Sequence, residues 1–353
     1  MGLFRTLAGA SVTALALAAC GAPNESGSSE GASDAGVVNI YTARHYASDY
    51  AVYDDFTDAT GIEVNFIEAS GDLLIERIRA DGARSQADIV ATVDAGRLWR
   101  AEQAGLFQAA PELEDALAGV PDNLKHPEGA WFSFANRVRV IAYAPDRVDA
   151  ADLTDFANLA DESWRGRICV RSSSNVYNQS LMAALIDAVG VEDAEAWAAG
   201  IVANLAREPQ GGDTDQIRAI AAGECDVAIV NHYYLARLKR AEDPADRAVG
   251  DSVDLVFASL AGRGAHVNIS GAGLAAEAPN RENAIAFLEY LLSADAQRTF
   301  AELTNEYPAV SDAAYDNPVL DAFGTPVADP VNVNTLGENA SEAQRVFDRV
   351  GWP

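Results

Sequence analysis

The stretch of residues 37–93 reads VVNIYTARHYASDYAVYDDFTDATGIEVNFIEASGDLLIERIRADGARSQADIVATV. Three apolar runs in it, VVNIY, IEVNFIE and ADIVATV, alternate with amphipathic segments. This alternation predicts a β-α-β-α-β order, and therefore a mostly parallel sheet flanked by helices. A second α/β unit begins near Arg137 with VRVIAYAP and contains the apolar runs RICVR and CDVAIVN.

The rest of the chain shows weaker signals. LVFASL and HVNISGAGL read as strands, and RENAIAFLEYLLSADAQRTFAELT reads as one long amphipathic helix. A tail rich in Asn, Pro and Asp follows, for which the pattern predicts no element. The fold class is therefore α/β.

Length and charge limit the function. A chain of 353 residues with 49% hydrophobic residues can bury a large core and is more typical of two domains than of one. Acidic residues outnumber basic ones by 53 to 25, a formal net charge of -28. Such a charge opposes binding to nucleic acid and to anionic lipid surfaces.

The N-terminus resembles an export signal. Arg5 is followed by the apolar run LAGASVTALALAA, which is too short to span a membrane, and then by Cys20. The end of this segment, LAAC, resembles a bacterial lipobox, in which the cysteine is lipidated and becomes the first residue of the mature protein. We therefore expect a signal peptide at 1–19 and a flexible tether at 20–36, with an ordinary secretory peptide as the alternative.

Two cysteines remain in the exported chain, Cys169 and Cys225. An even pair in an oxidising compartment suggests a disulfide, although two buried thiols are the alternative.

The tyrosines fall into two groups. Tyr50, Tyr53 and Phe56 recur every three residues on one stripe of a predicted helix, which indicates packing against the core. His45 and Tyr46 instead lie between the first strand and its helix, at the carboxyl end of the strand, where open α/β sheets bind ligands.

Further tyrosines follow strands in the second unit. Tyr177 lies eight positions after Cys169, and Tyr233 lies eight positions after Cys225. Tyr233 and its neighbour Tyr234 cannot both face the core from regular structure, so we expect the pair in a loop, where both can turn toward one ion. The alternative is a pair with one tyrosine buried and the other at the surface. Several phenolates gathered with an imidazole suit a hard trivalent cation, ferric iron above all.

The segments IYTARHYASD, ADIVATVDAGRLWRAEQAGLF, ICVRSSSNVYNQS, GECDVAIVNHYYLARL and VNISGAGLAAEAPNRENAIAFLEYLLSADAQ together resemble the ferric-iron-binding periplasmic proteins that serve iron ABC importers. The resemblance implies a two-lobed periplasmic binding protein fold of type II, with two crossover strands. An N-terminal lobe of 37–135 plus 259–310 and a C-terminal lobe of 136–258 plus 311–353 are expected. It also implies a monomeric periplasmic receptor, lipid-anchored here, that delivers Fe3+ to an inner-membrane permease and has no reaction of its own.

The resemblance also implies a ligand set, with His45 as an imidazole ligand. Some relatives hold carbonate or a similar anion with arginines, whose positions Arg44 and Arg137 match loosely. Others use a glutamate where this chain has Asp94, which is one methylene shorter and is not counted as a ligand. The implied phenolate ligands are Tyr46, Tyr177, Tyr233 and Tyr234.

The sequence leaves two alternative functions open. A receptor for an oxyanion or a polyamine is the alternative within the same fold, and a secreted hydrolase using RSSSN as its nucleophile stretch is the alternative from another class. The run GAGLAA matches a dinucleotide fingerprint, but Pro279 follows at once and no helix opens there. His232 is expected beside the ligands or at the surface, and His126 in a loop.

Overall fold

The computed structural model describes residues 35–353. The predicted signal peptide, Cys20 and most of the predicted tether lie outside the described residues. The first strand begins at Val37, where the sequence predicts that folding starts. The predicted β-α-β-α-β order is confirmed by β1 Val37–Thr42, α1 Ala47–Thr60, β2 Glu63–Glu68, α2 Gly71–Asp81 and β3 Ile89–Thr92, followed by α3 Ala95–Gln103.

Strand β1 lies in the middle of this first unit. It pairs in parallel with β2 on one side and with β3 on the other, and Ile40 is opposite Ile89 in the second pairing. All four residues of β3 are buried, whereas β2 lies at the edge of the sheet with a largely exposed surface. The parallel arrangement brings the carboxyl ends of β1 and β3 to one edge of the sheet.

One long strand, β4 Phe132–Tyr143, connects the two parts of the sheet. Its first half pairs with β8 Val267–Leu274 and its second half pairs with β6 Val227–Asn231, both antiparallel. The strand therefore begins before Arg137, where the apolar pattern alone placed it. Shorter strands complete the sheet: β5 Ile168–Cys169, β7 Asp254–Val256 and β9 Tyr307–Pro308.

The strand order is β2-β1-β3-β8-β4-β6-β5, with β7 and β9 also paired to β4. Helices cover the faces of this sheet. Between α3 and β8 the α-helices are α4 Glu114–Leu117, α5 Val176–Val189, α6 Val191–Asn204, α7 Asp213–Ala221, α8 His232–Lys239 and α9 Pro244–Asp251.

The predicted long helix after β8 is wrong as a single element. It consists of α10 Arg281–Leu291, α11 Ala294–Thr299 and a π-helical turn, Phe300–Thr304. The break occurs because the Ser293 hydroxyl accepts a hydrogen bond from the backbone N–H of Ala296 and so caps a new helix.

The polar tail contains three helices that the sequence analysis missed: α12 Pro318–Phe323, α13 Thr335–Glu338 and α14 Ala340–Val350. Helix α14 buries Ala343, Val346 and Phe347. These residues recur at helical spacing, so an amphipathic pattern was present within the polar composition.

The α1 stripe packs as predicted only in part. Phe56 is fully buried and Tyr53 is 8% exposed, and both rings contact Phe287 of α10. Tyr50 is half-buried at the edge of this core, and its hydroxyl donates a hydrogen bond to Glu68. Tyr50 is therefore a boundary residue and not a core residue.

A disulfide joins Cys169 and Cys225, with 5.9 Å between the Cα atoms. It connects the end of β5 to the turn before β6, the two strands that precede the later tyrosines. Within residues 35–353, no helix combines the length and the apolar character needed to cross a bilayer.

Candidate functional site

Tyr46 caps helix α1. It has extended backbone dihedrals at the N-cap position, directly after the connection that leaves β1. The Asp49 carboxylate accepts a hydrogen bond from the Tyr46 backbone N–H and also pairs with Arg44 at 2.6 Å, so one side chain fixes both residues. His45 between them is exposed, and its ring stacks on Tyr46 with 5.4 Å between centroids.

Tyr177 lies in the first turn of α5. The side chain of Asn175 caps this helix by accepting a hydrogen bond from the Tyr177 backbone N–H. The tyrosine side chain is 8% exposed.

Tyr233 and Tyr234 lie in the first turn of α8, so the predicted loop is wrong. The helix begins at His232, immediately after β6, and Asn231 is its N-cap residue. Tyr233 is 2% exposed and Tyr234 is half-buried. Their rings lie 4.3 Å apart with an interplanar angle of 31°, so they remain close to each other although neighbours on a helix diverge by about 100°.

The phenol oxygens come together. The Tyr46 hydroxyl lies 3.3 Å from the Tyr233 hydroxyl, which lies 3.4 Å from the Tyr177 hydroxyl. These distances are long for O–H···O hydrogen bonds, whose usual length is about 2.7–2.8 Å. They are close to the separation of about 3 Å that neighbouring oxygens adopt around one octahedral ion with metal–oxygen bonds of about 2 Å.

All four phenols lie at helix N-termini. Tyr46 is the N-cap residue of α1, Tyr177 lies in the first turn of α5, and Tyr233 and Tyr234 lie in the first turn of α8. The N-terminus of a helix carries a partial positive charge from unpaired N–H groups. Three helix N-termini therefore add partial positive charge at the backbone of these tyrosines.

Guanidinium groups surround the rings. Three of them, from Arg137, Arg139 and Arg171, lie 5.7–5.9 Å from the centre of the Tyr177 ring. Arg44 lies 5.2 Å from the centre of the Tyr46 ring. This positive charge also favours ionised phenols.

Arg237 is a further member of the site that the sequence analysis missed. It lies on α8, and its guanidinium carbon is 5.4 Å from the Tyr46 ring, 5.8 Å from the Tyr233 ring and 5.4 Å from the Tyr234 ring. Within the described part of the chain no carboxylate pairs with it. Its spacing of four positions from Tyr233 is the signal that could have found it, because residues four apart share a helix face.

Burial raises the pKa of three of the phenols in the protein alone. It raises the pKa of Tyr177 to about 12, an effect that Tyr46 increases and Arg137 opposes. Burial raises the pKa of Tyr233 and of Tyr234 well above the ordinary value, and neighbouring phenols add to this. A ligand that binds phenolates must therefore displace protons, which a highly charged cation does.

Arg44 and Arg137, the loosely matched anion positions, are both ion-paired. Glu306 accepts a hydrogen bond from Arg44 at 2.9 Å and from Arg137 at 3.0 Å, and all three side chains are buried. Glu306 is a second residue that sequence reasoning missed, because nothing in the local run NEYP distinguishes it.

Asp94 is 1% exposed and serves a structural role. One carboxylate oxygen caps α3 at the Arg97 N–H, and the other accepts hydrogen bonds from Ser180 and Asn268. These contacts occupy both carboxylate oxygens of Asp94.

His232 is fully buried, and its Nδ1 accepts a hydrogen bond from the Val138 backbone N–H. Burial lowers the pKa of His232 to about 4, although Glu306 opposes this. The residue is therefore a neutral support beside Tyr233 and not a surface residue. His126 is also buried, and its Nδ1 accepts the Glu128 backbone N–H.

Phenol oxygens dominate the donor set. Within residues 35–353, no three His, Cys, Asp or Glu side chains come together in a way that could hold a metal ion. A donor set of phenols suits a hard cation of high charge better than a soft metal that prefers thiolates.

A family model described as bacterial extracellular solute-binding protein matches residues 51–323. The chain belongs to this family. The Iron uptake protein A2 of Synechocystis is 52% identical over 318 residues, which are 89% of this chain and 90% of that protein. The Major ferric iron-binding protein of Neisseria meningitidis serogroup B is 27% identical, over 89% of this chain and 92% of that protein.

Solved structures agree with these relatives. A Trichodesmium protein (IdiA, FutA), solved in complex with iron and citrate ligands, superposes with a TM-score of 0.84 at 50% identity, covering 90% of this chain and 100% of that one. The predicted resemblance to ferric-iron-binding periplasmic proteins and the predicted type II binding-protein fold are confirmed. The relatives are transport proteins, so this solute-binding protein is not an enzyme.

Proposed function

We propose that this solute-binding protein binds ferric iron through Tyr46, Tyr177, Tyr233 and Tyr234, with His45 as a fifth donor, and delivers it to the permease of an ABC importer. The observation that carries the proposal is the cluster of phenol hydroxyls, three of which lie within 3.4 Å of a neighbour. Ferric iron is the common biological cation that best suits several phenolate ligands.

Binding exchanges protons for the metal. Tyr177, Tyr233 and Tyr234 are neutral before iron arrives, because burial raises the pKa of each of these phenols. The trivalent ion drives their ionisation, and the helix N-termini together with the neighbouring guanidinium groups stabilise the resulting phenolates. Exposed His45 approaches the ion last, from the solvent side.

The ligands come from two lobes in this proposal. His45 and Tyr46 belong to the N-terminal lobe, 37–135 plus 259–310, and the other three tyrosines belong to the C-terminal lobe, 136–258 plus 311–353. Strand β4 runs from pairing with β8 to pairing with β6, as a crossover strand between lobes would. Iron therefore binds in the cleft between the lobes and favours its closure.

The alternatives fit the site less well. An oxyanion receptor needs several guanidinium groups free to donate to the ligand, but Arg44 and Arg137 are paired with Glu306. Of the site arginines, Arg237 is the one without a carboxylate partner among the described residues. A polyamine receptor uses carboxylates and aromatic faces, but guanidinium groups surround these rings. For a hydrolase, the stretch RSSSN offers Ser172, Ser173 and Ser174. The hydroxyls of Ser172 and Ser174 hydrogen-bond to each other, and among the described residues none of the three serines hydrogen-bonds to a histidine that could act as a base.

Titration of the protein with ferric citrate tests the proposal, because ferric tyrosinate absorbs visible light. We expect a visible band that saturates at one equivalent of iron and bleaches when dithionite and a ferrous chelator are added. The triple variant Tyr177→Phe, Tyr233→Phe, Tyr234→Phe is the control for unspecific iron binding. Absence of a band at one equivalent in the wild-type protein would refute the function.

We further propose that Cys20 carries a lipid that anchors the protein at the periplasmic side of the membrane. The support is the sequence LAAC, together with relatives of the periplasmic or extracellular binding class. Fractionation of cells producing Cys20→Ser tests this, since the variant should leave the membrane fraction. Equal membrane association of variant and wild type contradicts the anchor.

A further inference from the structure

Glu306 lies where several elements meet beneath the phenols. It follows Asn305, which has a left-handed backbone with φ of 58°, and it precedes β9. The side chain is 1% exposed. Its two oxygens accept hydrogen bonds from Arg44, Arg137 and the Ser270 hydroxyl, which come from the β1–α1 connection, β4 and β8.

The carboxylate is the main counter-charge of this cluster. Arg44 also pairs with Asp49, but Arg137 otherwise contacts the Ile269 carbonyl and the Ser270 hydroxyl. The Nε atom of Arg137 has no hydrogen-bond partner among the described residues. Without Glu306, Arg137 would be a buried guanidinium group lacking any anionic partner, a state that costs several kcal/mol unless another anion replaces it.

The two arginines lie directly beside the proposed iron ligands. Arg44 contacts the Tyr46 ring at 5.2 Å, and Arg137 contacts the Tyr177 ring at 5.7 Å. A pair of guanidinium groups presenting several N–H donors in one place is the chemistry that recognises carbonate, phosphate and carboxylates. The same position would therefore attract an oxyanion next to the metal if the donors were available.

We propose that Glu306 determines the specificity of the site by occupying the guanidinium groups of Arg44 and Arg137, so that this pair binds no free oxyanion such as carbonate or phosphate beside the proposed iron ligands. The inference rests on the proposed iron-binding function and assigns to the protein's own carboxylate the place that an exogenous anion would take.

The charge state of Glu306 supports this role. Burial alone would raise the pKa of this carboxyl, but Arg44 and Arg137 outweigh burial and lower the pKa to about 2. The carboxylate therefore stays ionised at the pH of any extracellular compartment. A dissolved anion that binds the two arginines must displace the Glu306 carboxylate, which is part of the protein and cannot diffuse away.

The experiment compares the wild-type protein with Glu306→Gln and Glu306→Ala. Each protein receives ferrous chloride, oxidised in air, in carbonate-free buffer, with and without sodium bicarbonate, while the visible band is followed. In parallel, iron-free protein is titrated with inorganic phosphate in a calorimeter. Asp88→Asn is the matched control, because Asp88 is also fully buried but, among the described residues, accepts its side-chain hydrogen bonds from Asn39 and Asn280 and from no arginine.

We expect the wild-type protein and Asp88→Asn to bind iron equally with and without bicarbonate and to show no heat with phosphate. The Glu306 variants should bind phosphate and should gain at least about tenfold in iron affinity when bicarbonate is added. A wild-type band that requires bicarbonate overturns the inference even if neither variant folds. Folded Glu306 variants that ignore both anions overturn it as well, whereas a wild-type protein with no band under any condition refutes the iron-binding function instead.

Discussion

His45 and Tyr46 stand on one side of the phenol cluster, here called the α1 side, and Tyr177, Tyr233 and Tyr234 stand on the other, the buried side. The residues of the α1 side are exposed or half-exposed, and they follow a single strand, β1. Tyr177 and Tyr233 of the buried side are at least nine-tenths buried. The two sides share one contact between hydroxyls, from Tyr46 to Tyr233.

The difference teaches how the site is prepared for its ligand. On the buried side, packing holds the rings in place before any ion binds, so little ordering entropy is lost on binding. On the α1 side, His45 must still be ordered. We therefore expect changes on the buried side to affect iron affinity more than changes on the α1 side. The predictions below run from the largest effect to the smallest; the first two test the stability of the framework, and the last two test iron affinity.

The largest effect should come from the disulfide beneath the buried side. Cys169 and Cys225 are 56 positions apart, and closing a loop of this length contributes about 4 kcal/mol in the chain-entropy model. Cys169→Ser combined with Cys225→Ser should lower the free energy of unfolding in urea by up to that amount. Wild-type protein unfolded with reductant should match the variant, and an unchanged urea midpoint in both contradicts the prediction.

The second effect concerns the packing of helix α1, whose N-terminus carries His45 and Tyr46. Tyr53→Ala removes a ring that packs against Phe66 and Phe287, and should cost about 3 kcal/mol of unfolding free energy. Tyr50→Ala should cost about 1 kcal/mol, because that ring is only half-buried. Urea unfolding of the two variants measures this difference. Equal losses would mean that Tyr50 belongs to the core after all.

Much of the fold could be predicted from the sequence, because apolar runs of four to eight residues followed by amphipathic segments have few other solutions. The strands that lead to Tyr46, Tyr177 and Tyr233 were found in this way. The predictions that failed concern helix boundaries that single residues determine, such as the start of a new helix after Ser293 and the start of α8 at His232. Helix caps and tertiary contacts determine these boundaries, and the periodicity of apolar residues carries no information about them.

The residues of the candidate site also divide into those that the sequence could reveal and those that it could not. Tyrosines placed after strands could be found in the sequence, because chain order fixes which edge of the sheet they reach. Glu306 could not, because its role depends on Arg44 and Arg137, which lie 262 and 169 positions away along the chain. Pairings of that range follow only from the completed fold.

The third prediction compares one phenol from each side. Tyr233→Phe removes the hydroxyl that contacts both Tyr46 and Tyr177, and should weaken iron binding about a hundredfold or more. Tyr46→Phe should weaken it less, because the buried side still holds three phenols. Competition with citrate, read from the visible band, gives both affinities, and thermal melts of iron-free protein check that neither substitution unfolds it. Wild-type affinity and spectrum in Tyr233→Phe would remove the basis for the iron assignment.

The smallest effect is expected for His45, the most exposed of the proposed donors. Its ring rests on Tyr46 and packs into no core, so His45→Ala creates no buried cavity and should leave the unfolding free energy within about 0.5 kcal/mol of wild type. An imidazole that binds from the solvent side competes with water for its position on the ion, so its loss should weaken iron binding by about tenfold or less, which is about 1.4 kcal/mol. The visible band should remain, because it arises from the tyrosinates, and should shift only in position.

His45→Gln is the matched control, since it keeps a polar side chain but no nitrogen donor suited to a metal. If His45→Ala weakens binding as much as Tyr233→Phe does, the two sides contribute equally to affinity, and burial is not what separates them.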